Sequence, residues 1–167
     1  ARREILQLHA EDKRLAKDHL YPVFLSAEEE EDFYGKVCND TLWPLFHYFA
    51  DRLRITPEAW QRYVDVNARF AATIVAHAEP ERRVWIHDFH LMLVPAMLRQ
   101  REPRLSIGFF LHPPFPSSEV YSLLPAREQL LRGVLGADYV SFQIGDYARH
   151  FRSSVLRILG IDSEPDS

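Results

Sequence analysis

The sequence predicts an α/β domain in which helices flank a parallel β-sheet. The clearest sign is the order of elements between Val84 and Leu111. Two short apolar runs, 84–86 and 107–111, enclose a segment with helical periodicity at 91–101. Strand, helix and strand in this order form a βαβ unit. Strands and helices alternate elsewhere in the chain, and this alternation favours a parallel sheet.

The composition is that of an ordinary globular domain. The chain has 167 residues, 47% of them hydrophobic, and a formal net charge of −4. This length suits one domain with a buried core, and the weakly negative charge gives no sign of nucleic-acid binding. The single cysteine, Cys38, excludes an internal disulfide framework and fits a reducing compartment.

Targeting and membrane signals are not found in the sequence. No run of 18 apolar residues and no signal-peptide pattern occurs, so we expect a cytoplasmic protein that does not associate with membranes. The chain begins without methionine and ends on a polar tail, 162–167. We therefore expect it to be a piece of a longer protein.

The N-terminal half is predicted to be mainly helical. Ser26 followed by Glu29 forms a capping box, which starts an acidic helix. Thr56 and Pro57 open a long helix whose apolar residues follow a 3.6-residue period. The predicted elements are a charged helix or lead-in at 1–20, a strand at 20–25, a helix at 27–33, a loop around 35–40, a helical stretch from Leu42, and a helix at 57–77.

The C-terminal half continues the alternation, and Gly160 is predicted to end the last helix. The predicted elements are strands at 84–87, 105–111 and 139–142, and helices at about 90–101, 119–124, 126–135 and 147–159.

Polar side chains follow the first two strands of the predicted sheet. His87, Asp88 and His90 come after the first strand, and His112 follows the second. Ligands of open parallel sheets bind beyond the carboxyl ends of the strands. A metal site is not favoured, because side chains at i, i+1 and i+3 of a strand end diverge and no cysteine or carboxylate cluster completes a ligand set.

The motifs of several enzyme classes are missing. The sequence has no G-x-S-x-G nucleophile elbow, no P-loop and no G-x-G-x-x-G dinucleotide fingerprint. Asp88 and His112 remain as candidates. Each residue, taken singly, could be a polar group that hydrogen-bonds within the protein at the end of a strand. Taken together, the two could hydrogen-bond the hydroxyls of a bound sugar.

The segment 34–48 is rich in aromatic residues, and two interpretations of it stay open. Tyr34, Trp43, Phe46 and Tyr48 could all belong to the core. Alternatively, some of these rings could form a platform that stacks on the apolar face of a pyranose.

Five motifs resemble the trehalose-6-phosphate synthases, which are retaining glycosyltransferases of family 20 with the two-Rossmann GT-B fold. The likeness extends from about residue 22 to residue 160. The motifs are 42–48 (LWPLFHY), 84–92 (VWIHDFHLM), 108–118 (GFFLHPPFPSS), 134–138 (VLGAD) and 146–151 (DYARHF).

The resemblance implies an activity and a domain organisation. Such enzymes transfer glucose from UDP-glucose, or another nucleotide glucose, to glucose 6-phosphate with retention, giving trehalose 6-phosphate and UDP in trehalose biosynthesis. Residues 1–167 would be a single, partial, Rossmann-like acceptor-side domain, the N-terminal half of a GT-B enzyme. Its partner would be the C-terminal nucleotide-sugar domain of the same full-length protein, which this chain lacks. No cofactor and no catalytic metal is expected, and homo-oligomerisation is left open.

The resemblance also implies residue roles. Tyr34 and Trp43, nine residues apart, match the acceptor-site tyrosine and tryptophan of the family. Asp88 matches the aspartate that binds the hydroxyls of glucose 6-phosphate, and His112 matches the histidine that contacts the donor sugar near the reaction centre. Asp88 and His112 are therefore the candidate catalytic residues. His87 and His90 are expected to be structural.

The sequence departs from the family pattern in two segments, and the change at 35–38 keeps another acceptor open. The segment 34–39 reads YGKVCN where the family usually has Y-x-G-F-S-N, and 112–116 reads HPPFP. One alternative is an enzyme similar to glucosylglycerol-phosphate synthase, which uses another phosphorylated acceptor. A second alternative is a non-catalytic, regulatory synthase-like subunit. In either case we expect the isolated chain to be inactive.

Overall fold

The computed structural model describes residue 17, residues 19–78 and residues 82–162, and this part of the chain contains one three-stranded parallel sheet. The strands are β1 (Arg83–His87), β2 (Ser106–Leu111) and β3 (Tyr139–Phe142), in the order β1-β2-β3. Each strand lies within one residue of its predicted bounds. The parallel pairing confirms the predicted α/β class.

Helices surround the sheet, and several short ones are joined end to end. A π-helix, Glu31–Leu42, connects the first two α-helices, and a second π-helical segment, Val155–Leu159, continues the last. Within the described residues, no helix combines the length and apolarity needed to cross a membrane. The α-helices are α1 (Ala27–Glu30), α2 (Trp43–Phe46), α3 (Pro57–His77), α4 (Val94–Arg101), α5 (Ser118–Tyr121), α6 (Arg127–Val134) and α7 (Gly145–Ser154).

The start of α1 confirms the predicted capping box. The Ser26 hydroxyl accepts from the Glu29 N–H at 3.1 Å, and the Ser26 N–H donates to the Glu29 carboxylate at 2.9 Å. The same carboxylate accepts hydrogen bonds from Arg69 of α3, which also donates to the Phe24 carbonyl at 2.7 Å. The cap is therefore also an attachment to the longest helix.

Helix α3 forms hydrogen bonds with the chain that follows β1. It begins at the predicted Thr56 cap, whose hydroxyl accepts from the Ala59 N–H at 3.2 Å. Its buried Tyr63 hydroxyl donates to the Phe89 carbonyl at 2.6 Å, and its buried Asn67 amide donates to the His90 carbonyl at 3.0 Å. Two backbone carbonyls directly after the strand end are thereby satisfied by one helix.

The two faces of the sheet differ in burial. One face carries Ile86, Ile107, Phe109 and Leu111 into the core. On the other face the Trp85 ring lies over Gly108, where an added Cβ would meet it at 2.2 Å, and stacks on Tyr139 at 6.3 Å between centroids. A side chain at position 108 would separate these rings, so glycine permits the aromatic row.

Several predicted elements differ from the structure. The strand at 20–25 is wrong: this segment has no regular structure, pairs with none of the three strands, and leaves Leu20, Tyr21 and Phe24 exposed. The loop around 35–40 is also wrong, because the π-helix runs through it. The helix predicted at 90–101 divides into a 3₁₀ turn, Phe89–Leu91, and α4, which starts late because Pro95 suits only a first turn. The helix predicted at 119–124 ends at Tyr121, and most of the segment 1–20 lies outside the described residues.

We expect Gly136→Ala to destabilise the fold. An added Cβ would lie 2.3 Å from the backbone nitrogen of Ala96, so the turn after α6 would be forced away from α4. Overpacking of this kind typically costs about 1–3 kcal/mol. Gly145→Ala is the matched control, because no atom lies within 4 Å of its added Cβ. Urea unfolding of both variants measures the difference, and equal stabilities would contradict the close packing.

We expect the stabilising effect of Glu29 to fade in acid. Hydrogen bonds from Arg69 and from the backbone of Ser26 lower the pKa of Glu29 from 4.5 to about 2. A lowered pKa stabilises the folded state above the unfolded pKa, and this contribution is lost as the pH falls towards 2. The free energy of unfolding of Glu29→Gln should therefore lie below that of the wild type at pH 6 and approach it near pH 2.

Glu30→Gln serves as the control for this pH series, since Glu30 is an exposed neighbour in the same helix turn. Its curve should follow the wild type at every pH. A Glu29→Gln difference that does not change with pH would contradict the assignment of the effect to carboxylate ionisation.

Candidate functional site

A shallow hollow of about 510 Å³ lies at the carboxyl end of β1. One wall comes from the π-helix and the start of α2, and the other comes from the three residues that follow the strand. The structure thus brings Tyr34, Trp43 and Asp88 together in one hollow. The hollow is lined by Tyr34, Asn39, Trp43, Asp88, Phe89 and His90.

The backbone turns sharply at Asp88, in a conformation that residues other than glycine rarely adopt. Its φ of 73° and ψ of 167° cost about 1–3 kcal/mol, and such strain concentrates at functional sites. The Asp88 N–H donates to the Phe110 carbonyl at 2.8 Å, and one carboxylate oxygen accepts from the Phe89 N–H at 2.8 Å. The other carboxylate oxygen accepts no hydrogen bond from the described residues and is available to a ligand.

Aromatic rings line the hollow as a continuous series. Phe89 stacks on His90 at 4.2 Å between centroids, Tyr34 lies 4.8 Å from His90, and Trp43 lies 5.9 Å from Phe89. Tyr34 and Trp43 are 47% and 46% exposed, whereas Phe46 is fully buried. The interpretation as core residues therefore applies to Phe46. Tyr34 and Trp43 instead leave part of their ring surface exposed, as a stacking platform requires.

The π-helix explains why residues nine positions apart share one wall. In an α-helix of 3.6 residues per turn, nine residues make two and a half turns, so the two side chains would point in opposite directions. Bonds from i to i+5 give about 4.4 residues per turn, and nine residues then make about two full turns. Tyr34 and Trp43 consequently face the same way. Asn39, five residues after Tyr34, joins them, although sequence reasoning placed it in a loop.

His112 lies at the end of the neighbouring strand and does not line the hollow. A ring nitrogen of His112 lies 3.0 Å from Nδ1 of His87, so one of the two imidazoles donates a hydrogen bond to the other. Its ring also packs edge-on against Phe110, at 4.6 Å. His87 contacts His112, and His90 lines the hollow; the structural role expected for both stays a prediction.

The loop after His112 is anchored from two directions. The Ser117 N–H donates to the Tyr48 hydroxyl at 3.1 Å, which ties the loop to the segment after α2. The His150 imidazole of α7 bonds the Phe115 carbonyl at 2.9 Å. These contacts give two of the resembling motifs a structural role, because both hold the chain that carries His112.

The pKa values of two groups near Asp88, those of His90 and Cys38, are shifted in favour of their neutral forms. Burial lowers the pKa of His90, and the Asp88 carboxylate opposes the shift. Burial raises the pKa of the Cys38 thiol, with a further contribution from Asp88. A neutral imidazole suits ring stacking, and a protonated thiol is a packing group rather than a nucleophile. Among the described residues, no group of three or more His, Cys, Asp or Glu side chains could hold a metal ion.

Comparison with known proteins matches residues 2–167 to the model of glycosyltransferase family 20. Alpha,alpha-trehalose-phosphate synthase [UDP-forming] A of Dictyostelium discoideum is 39% identical over 166 residues. This alignment covers 96% of the chain and 23% of the relative, so the chain spans about a quarter of that protein's length.

Two solved structures share the fold. The alpha,alpha-trehalose-phosphate synthase of Burkholderia xenovorans in complex with glucose-6-phosphate is 31% identical with a TM-score of 0.81, over 86% of the chain and 32% of that structure. The N-terminal domain of Candida albicans trehalose-6-phosphate phosphatase is 39% identical with a TM-score of 0.78, over 87% and 31%. The fold is that of the N-terminal half of a GT-B glycosyltransferase, as predicted. The chain belongs to glycosyltransferase family 20.

Proposed function

We propose that this chain is the acceptor-side domain of a longer trehalose-6-phosphate synthase. The longer enzyme would transfer glucose from UDP-glucose, or another nucleotide glucose, to glucose 6-phosphate with retention, releasing trehalose 6-phosphate and UDP. The observation that carries the proposal is the hollow, in which the carboxylate of Asp88, a residue with a strained backbone, lies beside two half-exposed aromatic rings. The family membership and the named relatives support the same reaction.

The hollow has the chemistry of a sugar site. A carboxylate oxygen without a partner accepts hydrogen bonds from sugar hydroxyls, and bonds to a charged acceptor are stronger than neutral ones. The faces of Tyr34 and Trp43 cover the apolar C–H surface of a pyranose ring. Small-molecule sites typically have mostly apolar walls with a small number of polar groups. We assign this hollow to glucose 6-phosphate, with Asp88 orienting its hydroxyls.

The donor sugar is assigned to the side of His112, one strand further along the same edge. In this arrangement the acceptor hydroxyl attacks from the face that the nucleotide leaves, and the departing phosphate takes its proton. Asp88 and His112 then act by orienting the two sugars, and correct orientation of two reactants lowers the barrier to their reaction. A C-terminal domain of the same protein would complete the donor site. No metal or other cofactor is required, and the reaction would take place in the cytoplasm.

A second candidate function comes from the description of one solved structure. A domain that is 39% identical to this chain is described as the N-terminal domain of a trehalose-6-phosphate phosphatase of Candida albicans, so the fold also occurs in a protein that is not named as a synthase. A synthase-like domain without transferase activity, with a regulatory or binding role, is therefore the alternative. Incubating the longer protein with UDP-glucose and either glucose 6-phosphate or glycerol 3-phosphate distinguishes three functions: a synthase, an enzyme for the other acceptor and a non-catalytic domain.

We expect the isolated 167-residue chain to form no trehalose 6-phosphate from UDP-glucose and glucose 6-phosphate. It presents one side of a cleft, and charges that would stabilise the departing diphosphate are expected from a second domain. Mass spectrometry of the reaction mixture provides the measurement, with the longer protein as the positive control. Product formed by the isolated chain would show this expectation to be wrong.

We expect Asp88→Asn to weaken acceptor use in the longer protein. Loss of a charged hydrogen-bond acceptor costs about 1.5–3 kcal/mol, so KM for glucose 6-phosphate should rise roughly tenfold or more while KM for UDP-glucose changes little. Steady-state kinetics with each substrate varied in turn gives both constants. Asp65→Asn, an exposed carboxylate on α3, is the control.

Asp88→Gly separates function from stability. Glycine adopts the positive φ without strain, but it loses the hydrogen bond to the Phe89 N–H, so the two effects on the free energy of unfolding should nearly cancel. Acceptor use should nevertheless fall as it does in Asp88→Asn. If Asp88→Gly retained a normal KM for glucose 6-phosphate, Asp88 would have no role in acceptor binding.

A further inference from the structure

The acceptor hollow depends on how the segment Glu31–Leu42 is wound. At the end of this segment the Trp43 N–H donates to the Cys38 carbonyl, five residues back, where an α-helix would use the carbonyl four residues back. In this segment, residues nine positions apart have similar burial. Asp32 and Thr41 are both buried, Phe33 and Leu42 are both in the core, and Tyr34 and Trp43 both face the hollow.

One side chain distinguishes this winding from that of an ordinary helix. The Thr41 hydroxyl donates to the Lys36 carbonyl at 2.9 Å, which is five residues back. In α3 the Thr73 hydroxyl makes the usual bond to the Arg69 carbonyl at 3.0 Å, four residues back. The same residue type therefore bonds i−4 in the α-helix and i−5 in the π-helix.

Thr41 also ties the π-helix to a different part of the chain. It is fully buried, and its hydroxyl lies 3.3 Å from the Arg54 carbonyl, just before α3. The one hydroxyl proton is thus shared between two backbone carbonyls that are 18 residues apart in sequence. No sequence pattern indicates this role, because threonine has no special place in helical periodicity.

We propose that Thr41 is a positioning residue that holds the π-winding of Glu31–Leu42 and thereby sets Tyr34 and Trp43 on one face of the acceptor hollow. This inference rests on the proposed function in so far as the hollow takes glucose 6-phosphate. Rewinding the segment as an α-helix would turn Tyr34 by nearly half a turn relative to Trp43. The two rings could then no longer flank one sugar.

The winding can be measured directly in the isotopically labelled chain. Scalar coupling across a hydrogen bond identifies the carbonyl to which the Trp43 amide donates. The wild type should couple to Cys38, Thr41→Ser should keep this coupling, and Thr41→Val should lose it. Thr73→Val, the matched control in α3, should keep it. Coupling of the wild-type Trp43 amide to Asn39 would overturn the proposal without any variant.

Binding is followed in the same samples by titration with glucose 6-phosphate. The indole N–H signal of Trp43, assigned with Trp43→Phe, should shift, and those of Trp60 and Trp85 should not. Thr41→Val should raise the apparent Kd about tenfold or more, because a displaced positioning group loses most of its effect. Thr41→Ser and Thr73→Val should bind like the wild type. Melting temperatures confirm that each variant is folded.

The outcomes separate this inference from the proposed function. The positioning role would be overturned by either of two results for Thr41→Val. The variant could retain the Cys38 coupling, or it could lose the coupling and still bind glucose 6-phosphate normally. A wild-type chain that shows no response to glucose 6-phosphate would count against the proposed function, while the couplings would still decide whether Thr41 holds the winding.

Discussion

The backbone turn at Asp88 is the constraint on which the rest of the site depends. The chain leaves β1 in a strained conformation, and three hydrogen bonds hold it there: Asp88 N–H to Phe110, Phe89 N–H to the Asp88 carboxylate, and Leu91 N–H to the Asp88 carbonyl. The turn directs Phe89 and His90 into the hollow. Without the turn, the strand would continue, and Phe89 and His90 would not line the hollow between Tyr34 and Trp43.

The surrounding fold keeps this turn in place by satisfying its backbone. Tyr63 and Asn67 of α3 bond the carbonyls of Phe89 and His90, and the Asn67 side chain also accepts from the Leu93 N–H at 3.2 Å. A buried network of this kind is stabilising only when all its members are paired. Helix α3 is attached in turn through Arg69 to the cap of α1, so the walls of the hollow are parts of one connected structure.

Sequence reasoning was most successful where local chemistry decides the outcome. The capping box at Ser26, the Thr56 cap, the three strands and the left-handed Gly160 with φ of 68° are all confirmed. The two caps and the helix end at Gly160 depend on residues close together in the chain, whereas the strands also need partners from distant segments. The segment 20–25 looked like a strand because it is apolar, but an apolar run becomes a strand only if a neighbouring strand pairs with it. Asn39 and the contact between His87 and His112 were missed because both need distant elements or unusual winding.

The sequence by itself determined the α/β class, the family, and the candidates Tyr34, Trp43, Asp88 and His112, because strand periodicity and motif order are written in consecutive residues. Only the tertiary structure decided which of these candidates share a hollow. Tyr34 and Trp43 meet because the helix between them is wound with i+5 bonds, and the buried Thr41 braces it against a segment thirteen residues away. The sequence does not reveal this contact, since the Arg54 carbonyl that Thr41 reaches lies outside the helix.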